Sequence, residues 1–73
     1  MLMNFEWALN ALKEGERVNR RGWNGPNQYI KVQFPDDDSA NTLPYIYIIT
    51  VTGDRVPWLA SQGDLFAEDW ELA

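Results

Sequence analysis

The sequence predicts an α+β fold: one N-terminal helix packed on a small, mainly antiparallel β-sheet. Three observations carry this. Residues 4–14 place Phe5, Ala8, Leu9 and Leu12 at the i, i+3, i+4, i+7 spacing of a single helix stripe. The rest of the chain falls into short alternating or apolar runs separated by turn residues, among them Asn24-Gly25 and Thr52-Gly53-Asp54. No internal repeat or linker interrupts the 73 residues, so residues 1–73 read as a single domain.

Asn4 is the expected N-cap of the helix, Glu6 sits favourably in the first turn, and Gly15 is a suitable C-terminal stop. Trp7 lies beside the apolar stripe, at the core edge or against a neighbouring subunit. Residues 16–21 read as a short polar strand anchored by Val18. Asn24-Gly25 is the strongest two-residue turn signal, because both residues tolerate positive φ. Residues 29–34 alternate, with Ile30, Val32 and Phe34 on one face and Tyr29, Lys31 and Gln33 on the other. Residues 35–41 form a charged loop. Residues 45–51 are apolar on both faces, the mark of a central strand or of one at an interface. Residues 52–55 turn into a strand over 56–59, where Pro57 demands an edge or a kink. Asp64 is placed to cap a short helical turn reaching Asp69, and residues 70–72 return as a last strand.

Composition narrows the function. A chain this short hides only about 60–65% of its unfolded surface. Yet 45% of its residues are apolar and 14% aromatic, more than so small an interior needs, so a subunit interface or a ligand site is expected. A formal charge of −5 argues against a long nucleic acid as partner, while leaving room for one small nucleotide in a local basic pocket. No run approaches the roughly 20 apolar residues of a membrane span, and the first twelve residues do not read as a signal peptide. The chain has neither histidine nor cysteine, which removes the usual nucleophiles, bases and nitrogen or sulfur metal ligands. Asp36-Asp37-Asp38 lacks the alternating ligands and glycine bend of a calcium loop and reads as solvated. Glu68 and Asp69, adjacent on a helical turn, point in different directions. No catalysis, metal or cofactor is expected.

Two strings mix indoles with turns and short polar groups: Arg21-Gly22-Trp23-Asn24-Gly25, and residues 56–70 around Trp58, Ser61-Gln62-Gly63-Asp64 and Trp70. Such mixtures suit a concave site holding something planar and polar. Arg17, Arg20 and Arg21 cluster just before Trp23, with Arg17 and Arg21 on one strand face and Arg20 on the other. They suit either phosphate or ribose recognition beside a stacking ring, or a charged, soluble edge strand. Trp23 at a turn is held near the surface, to stack on a base or to serve the core. Ser61, Gln62 and Asp64 either cap a helix or meet a ligand's ring edges and hydroxyls.

Taken together, the strings resemble the two ends of the second Thoeris anti-defence family of phage proteins. The helix through Leu12-Lys13-Glu14-Gly15, then Val18, Arg20 and residues 21–25, is similar to its N-terminal signature. Val56-Pro57-Trp58-Leu59-Ala60-Ser61-Gln62, with Asp64 and Ala67-Glu68-Asp69-Trp70-Glu71, is similar to its C-terminal one. A type II-A anti-CRISPR protein resembles the same signatures. The resemblance implies a sponge that binds a cyclic nucleotide immune signal, a cyclic ADP-ribose isomer or a cyclic dinucleotide, without cleaving it. It also implies a homo-oligomer, a tetramer with sites between subunits, acting in the host bacterial cytoplasm. The ligand-binding residues it points to are Trp23, Asn24, Gly25, Arg20, Arg21, Ser61, Gln62 and Asp64. The chain departs from relatives at Pro26-Asn27-Gln28, at Gly63 where threonine is common, and in a short segment between Phe34 and Tyr45. The rival readings are a protein-binding inhibitor, such as an anti-CRISPR presenting an acidic surface, and a virion or assembly protein.

Overall fold

The computed structural model describes residues 3–25, 27–38 and 42–73. The helix α1 spans Phe5–Lys13. It starts where expected: the Asn4 side chain accepts a hydrogen bond from the Trp7 N–H at 3.0 Å. It stops at Gly15, which takes φ +88°, a conformation that costs glycine least. Ala8 and Leu12 of the stripe are fully buried, and Phe5, Trp7 and Ala11 pack around them.

Five strands follow: β1 (Val18–Arg20), β2 (Tyr29–Gln33), β3 (Tyr45–Ile49), β4 (Arg55–Pro57) and β5 (Trp70–Leu72). They form one antiparallel sheet in the order β4-β3-β2-β1-β5. The α+β arrangement is the one the sequence predicts. Pro57 sits on the edge strand β4, where its missing N–H leaves no gap in the ladder. β3 lies inside the sheet, as its apolar run requires. β5 closes the other edge by pairing Val18 with Leu72 and Arg20 with Trp70. The core is Ala8, Leu12, Val18, Ile30 and Trp70, between α1 and one sheet face.

Several boundaries differ from expectation. The first strand is only Val18–Arg20, because Arg21 and Gly22 already turn away. Phe34 lies beyond β2 and is largely exposed. The connection from β1 to β2 is a loop rather than a two-residue hairpin: Gly25 takes φ +100° and the second left-handed residue is Asn27, at φ +66°, not Asn24. A short helix α2 (Gln62–Phe66) is capped by Ser61, with Asp64 at its third position completing a capping box. It ends at Phe66, so Asp64 is not the cap and Asp69 is not in the helix. Asp36, Asp37 and Asp38 are exposed, as a solvated loop should be. The rest of that predicted loop, 39–41, and Pro26 lie outside the described residues. Among the described residues no helix is long and apolar enough to cross a membrane.

Candidate functional site

Four rings from distant segments meet at one end of the core. Trp70 of β5 is fully buried, and its indole N–H donates to the Asp64 carbonyl at 3.1 Å. Around it stand Phe5 from α1, Trp23 from the β1–β2 loop, and Trp58 just after β4, with ring centroids at 5.4, 5.4 and 6.1 Å. Trp23 and Trp58 meet Trp70 edge-on, at 79° and 88°. Such pairs add about 0.5–1.5 kcal/mol beyond burial. The three outer rings are half-buried, so each keeps part of its surface toward solvent.

A polar network locks the two motif strings together beside these rings. The Arg20 guanidinium donates to Asp64 Oδ1 through Nη1 and to Asp69 Oδ1 through Nε, both at 2.8 Å. Asp69 Oδ2 also accepts the Gly22 N–H at 2.9 Å. Asp64 accepts the Trp23 indole N–H at 3.3 Å and the Ser61 N–H at 3.1 Å. The Ser61 hydroxyl in turn accepts the Asp64 N–H at 3.1 Å. Burial pushes the Asp64 carboxyl up; the donors Arg20, Ser61 and Trp23 together outweigh that and hold it below the usual carboxylate range. Asp69 is held low first by the Arg20 hydrogen bond and then by the Gly22 N–H. Arg20 is raised by the same two carboxylates.

This geometry sorts the residues singled out from the sequence. Arg20, Trp23, Ser61 and Asp64 come together, separated by up to 44 positions in the chain. Arg20 Nε and Nη1 and both Asp64 carboxylate oxygens are engaged in this network. Trp23 is packed on Trp70 rather than standing free at the surface. Arg21 is exposed and pairs with Glu71 at 3.3 Å. Asn24, Gly25 and Gln62 are exposed, and the Gln28 side chain donates to the Asn24 carbonyl, bracing the loop. Arg17 does not join: its guanidinium lies over the Tyr29 ring at 4.9 Å, on the sheet face away from α1. Phe5, Trp58, Trp70 and Asp69 take part but are not among the ligand-binding residues that the sequence points to: Phe5 reads as helix stripe, Trp58 and Trp70 as core or interface, and Asp69 as the end of a short helical turn. The repeated Arg–acid complementarity between residues 20–21 and 69–71 is a sequence signal that could have found Asp69.

Chemically, the assembly offers flat, partly open indole walls, exposed backbone at residues 24–25, the Arg21 guanidinium and the polar rim of Ser61 and Gln62. Both carboxylates are ionised at neutral pH and act as acceptors. Among the described residues no group of His, Cys, Asp or Glu is placed to hold a metal ion.

Known proteins match this chain over nearly all its length. The sequence profile of the Thoeris anti-defense 2-like domain matches residues 3–73. A protein of Bacillus phage SP01, Thoeris anti-defense 2, is 34% identical over 83 aligned positions, covering 96% of this chain and 93% of that protein. The match spans both motif strings and the sheet that brings them together; the chain belongs to the Thoeris anti-defense 2-like family of phage anti-defence proteins.

Proposed function

We propose that the chain binds a cyclic nucleotide immune signal at the Trp23 end of the core and withholds it, uncleaved, from a host defence effector. The observation that supports this reading is the meeting of the two motif strings at Asp64. It sets the half-buried Trp23 ring beside Arg20 and the Ser61-Gln62 bend, next in the chain to the exposed Asn24-Gly25 backbone, while the exposed Arg21 lies two residues away, paired with Glu71. An adenine stacks on such a ring for about 1–3 kcal/mol per base, and a phosphate meets Arg21. Arg20 and Asp64 serve that site by holding it in shape. Capture without turnover suits a site whose two innermost carboxylates are engaged by Arg20 and held ionised. The ligand is a cyclic ADP-ribose isomer or a cyclic dinucleotide, the protein acts as a homo-oligomer in the host cytoplasm, and a tetramer is the assembly proposed.

The test is mass spectrometry of small molecules released by heat from protein expressed beside an active signal-producing enzyme. An intact cyclic nucleotide supports the sponge. A linear product shows hydrolysis instead. Release of nothing, together with inhibition of an RNA-guided nuclease that is lost when Asp36, Asp37 and Asp38 become serine, replaces it with the protein-binding inhibitor.

A further inference from the structure

The loop between β1 and β2 needs glycine at position 25 for two independent reasons. Its φ of +100° is one that L side chains rarely adopt, and a Cβ there would stand 2.5 Å from Val51 Cγ2. The residue before it is Asn24, and both are exposed. Asparagine before glycine is a reactive pair. Its side-chain amide carbon can close a five-membered ring with the next backbone nitrogen, and glycine has no side chain to crowd that approach. Gln28 Nε2 donates to the Asn24 carbonyl, which draws electron density from the peptide nitrogen of Gly25 and eases loss of its proton. Among the described residues, none accepts a hydrogen bond from the Gly25 N–H or holds the Asn24 side-chain amide.

We propose that Asn24 is a site of spontaneous covalent modification, converted by water to aspartate and isoaspartate through a cyclic imide with Gly25. The Gly25 nitrogen gives its proton to a solvent base and attacks Asn24 Cγ. The new C–N bond forms, the Cγ–Nδ2 bond breaks, and the amide nitrogen takes a proton from solvent and leaves as ammonia. Water then opens the imide at either carbonyl, so one water is consumed and one ammonia released. The other five asparagines do not compete. The Asn4 side chain accepts from the Trp7 N–H, and Asn10 lies inside α1, where the following N–H belongs to the helix ladder. Asn19 lies in β1, with Nδ2 donating to the Gln28 carbonyl at 3.2 Å. Asn27 and Asn41 precede Gln28 and the branched Thr42, whose side chains crowd the ring closure. The fold thus holds Gly25 in place and leaves Asn24 open beside it. The functional consequence rests on the Trp23 reading above: a carboxylate next in the chain to that ring repels a phosphate-bearing ligand.

The test holds purified wild type at mildly alkaline pH, native and in urea, and follows intact mass over days. The native chain should gain about 1 Da, mapped by digestion to residue 24 and labelled in part by an isoaspartyl methyltransferase. Its rate should lie within about threefold of the unfolded chain's, because the loop is open to water. Asn24→Gln should lose the gain, since its ring closure is slower. The proposal is overturned if the native chain keeps its mass while the unfolded chain gains, if the gain maps to another asparagine, or if Asn24→Gln ages like the wild type. Titration of a cyclic ADP-ribose isomer into fresh and aged protein should show affinity falling by roughly threefold to tenfold. Equal affinity in fully converted protein overturns the functional consequence. Fresh protein that binds no nucleotide refutes the Trp23 reading instead, and the mass result stands apart from it.

Discussion

Replacing Arg20 with alanine removes the one side chain that ties β1 to both α2 and the segment before β5. The structure sets the scale of the loss. Arg20 makes two charge-assisted hydrogen bonds at 2.8 Å, to carboxylates whose side chains are 12% and 24% exposed. A hydrogen bond to a charged group contributes about 1.5–3 kcal/mol. Two of them set a ceiling near 3–6 kcal/mol. Water reaches all three groups, and Asp64 and Asp69 keep their backbone donors Ser61 and Gly22, so Arg20→Ala is expected to cost about 2–4 kcal/mol. A domain of this size is stable by only about 4–11 kcal/mol. The melting temperature should therefore fall by roughly 10–30 °C. Urea denaturation followed by tryptophan fluorescence measures this, since Trp23 and Trp70 both hydrogen-bond to Asp64. A double-mutant cycle with Asp69→Asn should return a coupling of about 1–2 kcal/mol. A loss below about 1 kcal/mol with no coupling would refute the claim that Arg20 is structural, and would return it to the ligand-binding cations.

Other outcomes follow from the same structure. Because Asp64 and Asp69 are held below the ordinary carboxylate range, their contribution is complete above about pH 4 and is lost as the pH falls through their lowered native values. Stability against urea should decline steeply on that acid limb in the wild type and more gently in Asp69→Asn. Gly25→Ala combines a φ of +100° with a new Cβ placed 2.5 Å from Val51 Cγ2, and calorimetry should show a loss of about 1–3 kcal/mol. Replacing Asp36, Asp37 and Asp38 together with serine should leave stability within about 0.5 kcal/mol and nucleotide binding unchanged; collapse of binding would make the loop part of the site.

The elements that local pattern specifies are those the sequence revealed. The Phe5, Ala8, Leu12 stripe, the Asn4 cap, the Gly15 stop and the edge position of Pro57 each follow from spacing or backbone chemistry within a few residues. The aromatic and polar character of the Trp23 end was equally legible in the two motif strings. What local pattern does not encode is the destination of a side chain. Arg20 reaches partners 44 and 49 positions away, and nothing near it in the chain distinguishes a guanidinium bound for two aspartates from one bound for a phosphate. Asp64 looked like a helix cap because its neighbour Ser61 makes the capping box reciprocal. Trp23 stands at a turn, which leaves surface stacking and core packing both open, and what decides it is the loop after β1 folding back onto Trp70, a contact across 47 positions.

The central claim is that the Trp23 end of the core captures a cyclic nucleotide without cleaving it. Isothermal titration of a cyclic ADP-ribose isomer into the purified protein, repeated with Trp23→Ala, tests it most directly, with the ligand recovered and weighed afterwards. A sponge requires binding in the nanomolar range, about −12 kcal/mol. Loss of one stacking ring should weaken it by roughly 5- to 150-fold while the chain stays folded, and the ligand should return intact. Wild-type affinity in Trp23→Ala, or a hydrolysed ligand, would contradict the account.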